Sequence, residues 1–345
     1  MELKRNLRYI LLPLSGLLYI ALRIRHALYD RGVLPSVSFE IPVINVGNLN
    51  VGGSGKTPMV EYLVRLLLGN KKKVAVLSRG YKRNTEGFVM AGTNALPEEI
   101  GDEPFQILEK FKDADFCLAV DADRVQGIQK LTERCRPDVI ILDDAFQHRK
   151  IKAGLNILLT LFDTPFYEDF LFPAGGLRDI TYRARQADII VVTKTDNTLN
   201  RKKQQIKEEL KKYTDLVFFS RINYHLPVDQ AGKRVGWDFF KNKSVLVITG
   251  IARPQPFYEF LTSKNIKFAR LSFPDHARYH DERIEAIRQK IRKGAIDAVL
   301  TTEKDYYKIK GKIHALYYVP VTVEMEEEAS FNQKILDYVN TRKFV

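Results

Sequence analysis

The segment Val43-Ile-Asn-Val-Gly-Asn-Leu-Asn-Val-Gly-Gly-Ser-Gly-Lys-Thr-Pro58 reads as a strand, a glycine-rich loop and the start of a helix. Gly52, Gly53 and Gly55 let the backbone turn tightly enough for its N–H groups to face a polyphosphate. The helix N-terminus that follows adds partial positive charge. Lys56 is placed to reach β- and γ-phosphates, and Thr57 to hold Mg²⁺. A strict phosphate loop has glycine five residues before Gly55, where this chain has Asn50. Pro58 suits a first helical turn. A glycine-rich turn before an ordinary helix would leave Lys56-Thr57 unexplained. The expected nucleotide contacts are therefore Asn50, Val51, Gly52, Gly53, Ser54, Gly55, Lys56 and Thr57.

Further along, Val139-Ile-Ile-Leu-Asp-Asp-Ala-Phe-Gln-His148 puts Asp143 and Asp144 at the carboxyl end of an apolar strand. Ligands of open α/β sheets gather at that edge, and a carboxylate there is the usual second anchor of a phosphate-loop magnesium. Other strand-like runs are Val74–Leu77, Phe116–Val120, Leu155–Leu161, Ile189–Val192, Val245–Ile248, Ala298–Leu300 and Leu316–Val323. Helical stretches such as Pro58–Leu68, Gly127–Arg134 and Arg201–Tyr213 fall between them. Strands apolar throughout and separated by helices predict parallel sheets covered on both faces. Mixed strand and turn residues around Phe218–Val235 mark a break. The expected division is an N-terminal helical segment (1–35), a nucleotide-binding domain (36–222), a linker (223–240) and a smaller α/β domain (241–345).

With 345 residues, 45% of them hydrophobic, the chain can bury a sizeable core. Its 20 Phe and 16 Tyr argue against long disorder. Two cysteines, Cys117 and Cys135, cannot build a disulfide framework or a cysteine-rich zinc site, and their scarcity fits a reducing compartment. A net charge of +13 favours an anionic partner: nucleic acid, an acidic membrane surface or a phosphorylated substrate. Tyr9–Leu22 carries no charge, with Lys4, Arg5 and Arg8 before it and Arg23 and Arg25 after. It falls short of the roughly 20 apolar residues of a spanning helix. Arginines stand where a signal peptide needs small residues, so an interfacial helix and then a buried one lead, ahead of a signal peptide or a span. Pro13 and Gly16 speak against a single straight helix.

Four segments remain. Asp102 in Gly101-Asp-Glu-Pro104 is either a helix cap or a base for an attacking hydroxyl. Phe172-Pro-Ala-Gly-Gly-Leu-Arg-Asp179 is a glycine-rich turn. Ser78-Arg-Gly-Tyr-Lys-Arg83 gathers three cations after a strand. His276, in Phe273-Pro-Asp-His276, reads on its own as structural.

Together these segments and Thr301-Thr-Glu-Lys-Asp305, in this order, resemble the tetraacyldisaccharide 4′-kinase family of lipid A biosynthesis. The resemblance implies a P-loop NTPase-like α/β/α domain, a smaller α/β domain and an N-terminal membrane-interfacial helix. It implies ATP- and Mg²⁺-dependent phosphorylation of the 4′-hydroxyl of a tetraacyldisaccharide 1-phosphate, giving lipid IVA. It also implies a peripheral enzyme on the cytoplasmic face of a Gram-negative inner membrane, without nucleic acid and as a monomer. By motif, Asp102 would be the base, assisted by His276 when the domains close. Asp143, Asp144 and Gln147 would surround the metal and phosphates, with Asp179 near them. Three departures are Ala145 where Gly is common, Asp179 where Glu is common, and Ala277 where a second His is common. The rival readings are a GTPase or metallochaperone-like switch, suggested by Thr193-Lys-Thr-Asp196, and a membrane-bound partition-type ATPase.

Overall fold

The computed structural model describes residues 2–196 and 198–341, with side chains from Ile10 onward. The side chains of Lys4, Arg5 and Arg8 lie outside the described residues. The chain divides into two compact units. One runs to Ile222 and resumes at Val323; the other is Asn223–Thr322.

The first unit is built on β1 (Val43–Asn48), β2 (Val74–Ser78), β3 (Val89–Met90), β4 (Phe116–Val120), β5 (Val139–Asp143), β6 (Leu155–Leu161) and β7 (Ile189–Thr193). With β8 (Val217–Tyr224) and β14 (Val321–Met325) they form a sheet in the order β14-β8-β7-β6-β1-β5-β2-β4-β3. The neighbours from β8 to β4 pair in parallel. β1, β2, β5 and β7 are buried at every position. The reason is that crossover helices cover both faces of a parallel sheet, leaving no solvated side to alternate toward. The strand order reverses at β1, so β5 is inserted beside the strand that feeds the phosphate loop. That is the switch point where α/β sheets bind ligands.

The second unit carries its own sheet. Its strands are β9 (Val228–Asp229), β10 (Val245–Thr249), β11 (Phe268–Ser272), β12 (Ala298–Thr302) and β13 (Leu316–Val319), in the order β11-β10-β12-β13-β9. β9 alone runs antiparallel to its neighbour.

Four expectations change. The run Leu316–Val323 is two strands: β13 ends before Pro320 and β14 begins after it in the other sheet. Proline has no N–H to donate and cannot continue a ladder. Consequently residues 323–341 belong to the first unit, where Phe331, Ile335 and Val339 enter its core. The stretch 223–240 is no linker, since Phe240 is fully buried in the second unit. Finally, Glu2–Asp30 is one helix despite Pro13. Cys117 and Cys135 are joined as a disulfide between β4 and the helix Arg124–Cys135.

Candidate active site

The glycine-rich loop lies between β1 and the helix Lys56–Gly69. Gly52, Gly53 and Gly55 have φ of 69°, 70° and 84°, a region closed to most side chains. Asn50 is not among the left-handed residues, which explains why a non-glycine residue serves there. Its Nδ2 instead donates to Asp169 Oδ2 at 3.1 Å. A second segment holds the loop from outside: Val51 N donates to Gly176 O at 2.7 Å and Arg178 N to Leu49 O at 2.9 Å. From β7, Thr193 Oγ1 lies 2.9 Å from Ser54 O.

The acidic pair meets this loop through strand register. Val46 pairs with Asp143, and Asp144 N donates to Val46 O at 2.9 Å. Lys56 Nζ stands 3.1 Å from Asn48 Oδ1 and 3.7 Å from Asp144 Oδ2. Arg178 forks onto both oxygens of Asp144, with Nη1 2.9 Å from Oδ2, and also donates to Asn48 Oδ1 at 2.5 Å. Gln147 Nε2 donates to Asn48 O at 2.8 Å, so Gln147 does adjoin the loop. The left-handed residue of the acidic turn is Asp144, with φ of 53°. Ala145 therefore imposes no strain. Gly47 is obligatory for another reason: a Cβ there would come within 2.5 Å of Phe146 Cβ.

The two carboxylates differ electrostatically. Burial and the charge of Asp144 push Asp143 up to about 6, against the pull of Lys56. Burial also acts to raise Asp144, but Lys56 and Arg178 overcome it and hold its carboxyl below the usual range. Asp143 Oδ2 accepts from Ser78 Oγ at 3.2 Å, whereas Oδ1 is buried without a hydrogen-bond partner. A buried carboxylate oxygen without a partner, at a strand end paired with the strand that feeds the phosphate loop, fits Mg²⁺, together with the Thr57 hydroxyl in the first turn of the helix. Among the described residues no group of three or more His, Cys, Asp or Glu is placed to hold a metal. A phosphate-loop magnesium needs none, because phosphates and water complete its shell.

Asp102 opens the helix Asp102–Phe111, whose cap position is Gly101 with φ of 94°. Gly101 rather than Asp102 therefore stands at the cap position, and Asp102 is the first residue of the helix. Gly101 packs on Gly80 and Tyr81, just past the carboxyl end of β2, which neighbours β5. The helix is fastened to the phosphate-loop helix by Glu61, fully buried, which accepts from Gln106 at 2.7 Å and Lys110 at 2.5 Å. Neither that clasp nor Arg178 was assigned a role from the sequence.

Asp179, expected near the metal, directly follows Arg178 and has partners of its own. It is fully buried, its Oδ1 is 2.7 Å from His26 Nε2, and its Oδ2 is 3.7 Å from Arg183 Nε. In the second unit, His276 Nε2 lies 3.3 Å from Lys304 Nζ, which pairs with Asp275 at 3.0 Å. Two of the sequence motifs thus meet there. Thr193 Oγ1 is committed to the loop, and Asp196 Oδ1 accepts from Thr198 N and Oγ1.

Beside the acidic strand end is a cavity of about 270 Å³ in the first unit, walled by Arg25, Arg124, His148, Arg149 and Lys150 among others. Arg124 Nη2 points at Asp143 O, 3.4 Å away. Burial, with Arg124 and Arg79 nearby, pushes His148 down to about 4, so it is neutral near pH 7.

A loop of left-handed glycines, a lysine bound to an aspartate at the neighbouring strand end, and a parallel sheet reversing at that point define a P-loop nucleotide-binding protein. The family model described as tetraacyldisaccharide-1-P 4′-kinase matches residues 7–340, and the chain belongs to that family. A tetraacyldisaccharide 4′-kinase of Flavobacterium johnsoniae is 44% identical over 339 residues, 96% of this chain and 97% of the relative. That of Flavobacterium psychrophilum is 41% identical, covering 97% and 98%. The crystal structure of "apo" form LpxK from Aquifex aeolicus in complex with ATP is similar with a TM-score of 0.76. The two are 32% identical over 96% of this chain and 99% of that one.

Proposed function

We propose that the protein is an ATP-dependent kinase that phosphorylates the 4′-hydroxyl of a tetraacylated glucosamine disaccharide 1-phosphate, yielding lipid IVA. The observation that carries this reading is the cradle: three left-handed glycines, Lys56 and Thr57, facing an acidic strand end. Family membership supports the acceptor.

Lys56 and the loop amides hold the β- and γ-phosphates, and Arg178 shares the charge of Asp144 until nucleotide arrives. Thr57 and Asp143 would hold Mg²⁺, with Asp144 beside them. When bound, the metal neutralises charge on the transferring phosphoryl group. Asp102 accepts the proton of the sugar hydroxyl. That alcohol is far too weak an acid to ionise beforehand, so the base acts mainly as the bond to phosphorus forms. Positioning and charge neutralisation are the larger contributions. His276 keeps, by its motif, the assisting role.

The acidic headgroup enters the basic cavity lined by Arg25, Arg124 and Arg149. The N-terminal helix sits in the membrane interface on the cytoplasmic side. Its residues from Ile10 to Asp30 are long and apolar enough to cross a bilayer by length and composition, in contrast to the shorter stretch read from sequence. Yet one face is bound to the domain: Ser15 Oγ donates to Leu171 O at 2.8 Å, and Leu18 and Leu22 pack on the core. The opposite face leaves Ile10, Leu14, Leu17, Ile20 and Ile24 more than half exposed. A helix with one face fastened and the other greasy suits an interface better than a crossing. Arg23 and Arg25 turn to the domain: Arg23 stacks on Tyr182, and Arg25, a wall of that cavity, donates to Gln147 O.

The test is incubation with labelled ATP, Mg²⁺ and the lipid disaccharide 1-phosphate in detergent. Label is expected in the lipid, with GTP a poor donor. Hydrolysis without lipid labelling refutes the reading.

A further inference from the structure

We infer that His26 is a positioning residue: through Asp179 it sets Arg178, and so couples the N-terminal helix to the phosphate site. This rests on the kinase reading above. His26 is 1% exposed, and its Nε2 lies 2.7 Å from Asp179 Oδ1. The acceptor is a carboxylate oxygen, so Nε2 carries the proton and donates; Nδ1 has no hydrogen-bond partner. The same Oδ1 accepts from Ile180 N at 2.8 Å, which pins the backbone on the far side of Asp179.

Arg178 is the preceding residue. Its N–H is held by Leu49 O, and its guanidinium by Asp144 and Asn48. The arginine therefore hangs between two fixed points, and His26 secures one of them. The helix reaches the acidic turn as well. Arg149 donates to His26 O at 3.0 Å, Arg25 to Gln147 O at 3.2 Å, and Arg183, beside Asp179, to Phe146 O at 2.9 Å. Both loops that carry site residues thus lean on one helix turn.

A buried charge among apolar neighbours is a poor way to gain stability, because taking it from water cancels most of the attraction. Leu171, Leu177 and Ile180 already supply an apolar seat nearby. What the polar pair provides is a fixed direction for the loop. A fork aimed at Asp144 and Asn48 needs that direction, because a displacement of about 1 Å at a charge-handling group costs on the order of a hundredfold in rate.

The experiment compares full-length protein and its variants in the lipid kinase assay, alongside thermal melts and ATP titration. His26→Ala and Asp179→Asn are each expected to lower kcat at least about tenfold, with KM for ATP within about twofold. His26→Gln, which returns a donor near the Nε2 position, is expected to recover most of the turnover. In an Arg178→Lys background, which has already lost the planar fork, His26→Ala is expected to add less than about twofold. Should His26→Ala fail to fold, the isosteric Asp179→Asn carries the same comparison. The inference is overturned if His26→Ala turns over within twofold of the parent, or if its loss multiplies fully with that of Arg178→Lys. If the unaltered protein labels no lipid, the kinase reading fails first, and is seen to fail separately.

Discussion

Replacing Thr193 by valine keeps the side-chain shape and deletes one hydroxyl. That hydroxyl is buried, 2.9 Å from Ser54 O in the phosphate loop and 3.1 Å from Thr160 O in β6. A net hydrogen bond contributes about 0.5–1.5 kcal/mol, and a carbonyl left buried and unpaired costs about 1–3 kcal/mol. The loss should therefore fall near 1–3 kcal/mol. For a unit of this size that lowers the melting temperature by roughly 2–10 °C. If the whole cost appears as a loosened loop, ATP binding weakens by about 5- to 150-fold. Thermal melts with and without ATP, and ATP titration by calorimetry, measure both. The preference for ATP over GTP should stay unchanged, because Thr193 supports the loop and touches no base. Unaltered stability and ATP affinity together with a shifted ATP:GTP preference would refute this reasoning and revive the guanine-reading alternative.

Lys56→Ala should lower lipid phosphorylation by at least about a hundredfold, as expected when a preorganised charge is removed from the transferring phosphate. Asp102→Ala should lower kcat by about 10²–10⁴ while ATP affinity in the titration stays within twofold. Combining Leu17→Glu with Ile24→Glu should reduce partitioning onto vesicles containing anionic lipid at least about tenfold, with ATP binding intact, since both side chains sit on the exposed face. His148 gives a pH signature. Its folded value of about 4 lies below the ordinary 6.5, so the unfolded chain takes up more protons once pH falls below about 6.5. Stability is then lost between pH 6.5 and 4, and His148→Gln should flatten that part of the melting-temperature profile.

The parallel strands were legible because a strand covered on both faces is apolar at every position, as in Val139–Leu142 and Ile189–Val192. The phosphate loop was legible because Gly52, Gly53 and Gly55 mark backbone that few other residues adopt. What escaped is what distance in sequence hides. Glu61 on an amphipathic helix reads as a solvated charge until Gln106 and Lys110, one turn apart on another helix, converge on it. His26 and Asp179 are separated by 153 residues and share no motif. Arg178 was visible as a cation in a turn, but its aim at Asp144 depends on the bridge between that turn and Leu49. Leu316–Val323 reads locally as one strand, and the pattern says neither that Pro320 divides it nor that the strand beyond joins the other sheet.

That return of the chain sets an order on synthesis. Tyr338 donates to Val43 O and accepts from Val43 N, and Phe331 and Ile335 complete the packing around the phosphate-loop helix. These residues emerge from the ribosome long after β1, so the start of that strand waits for a segment 295 positions downstream before it is covered. Chains that stop before Glu328 should then be handed to chaperones and proteases rather than persist as half-working enzyme.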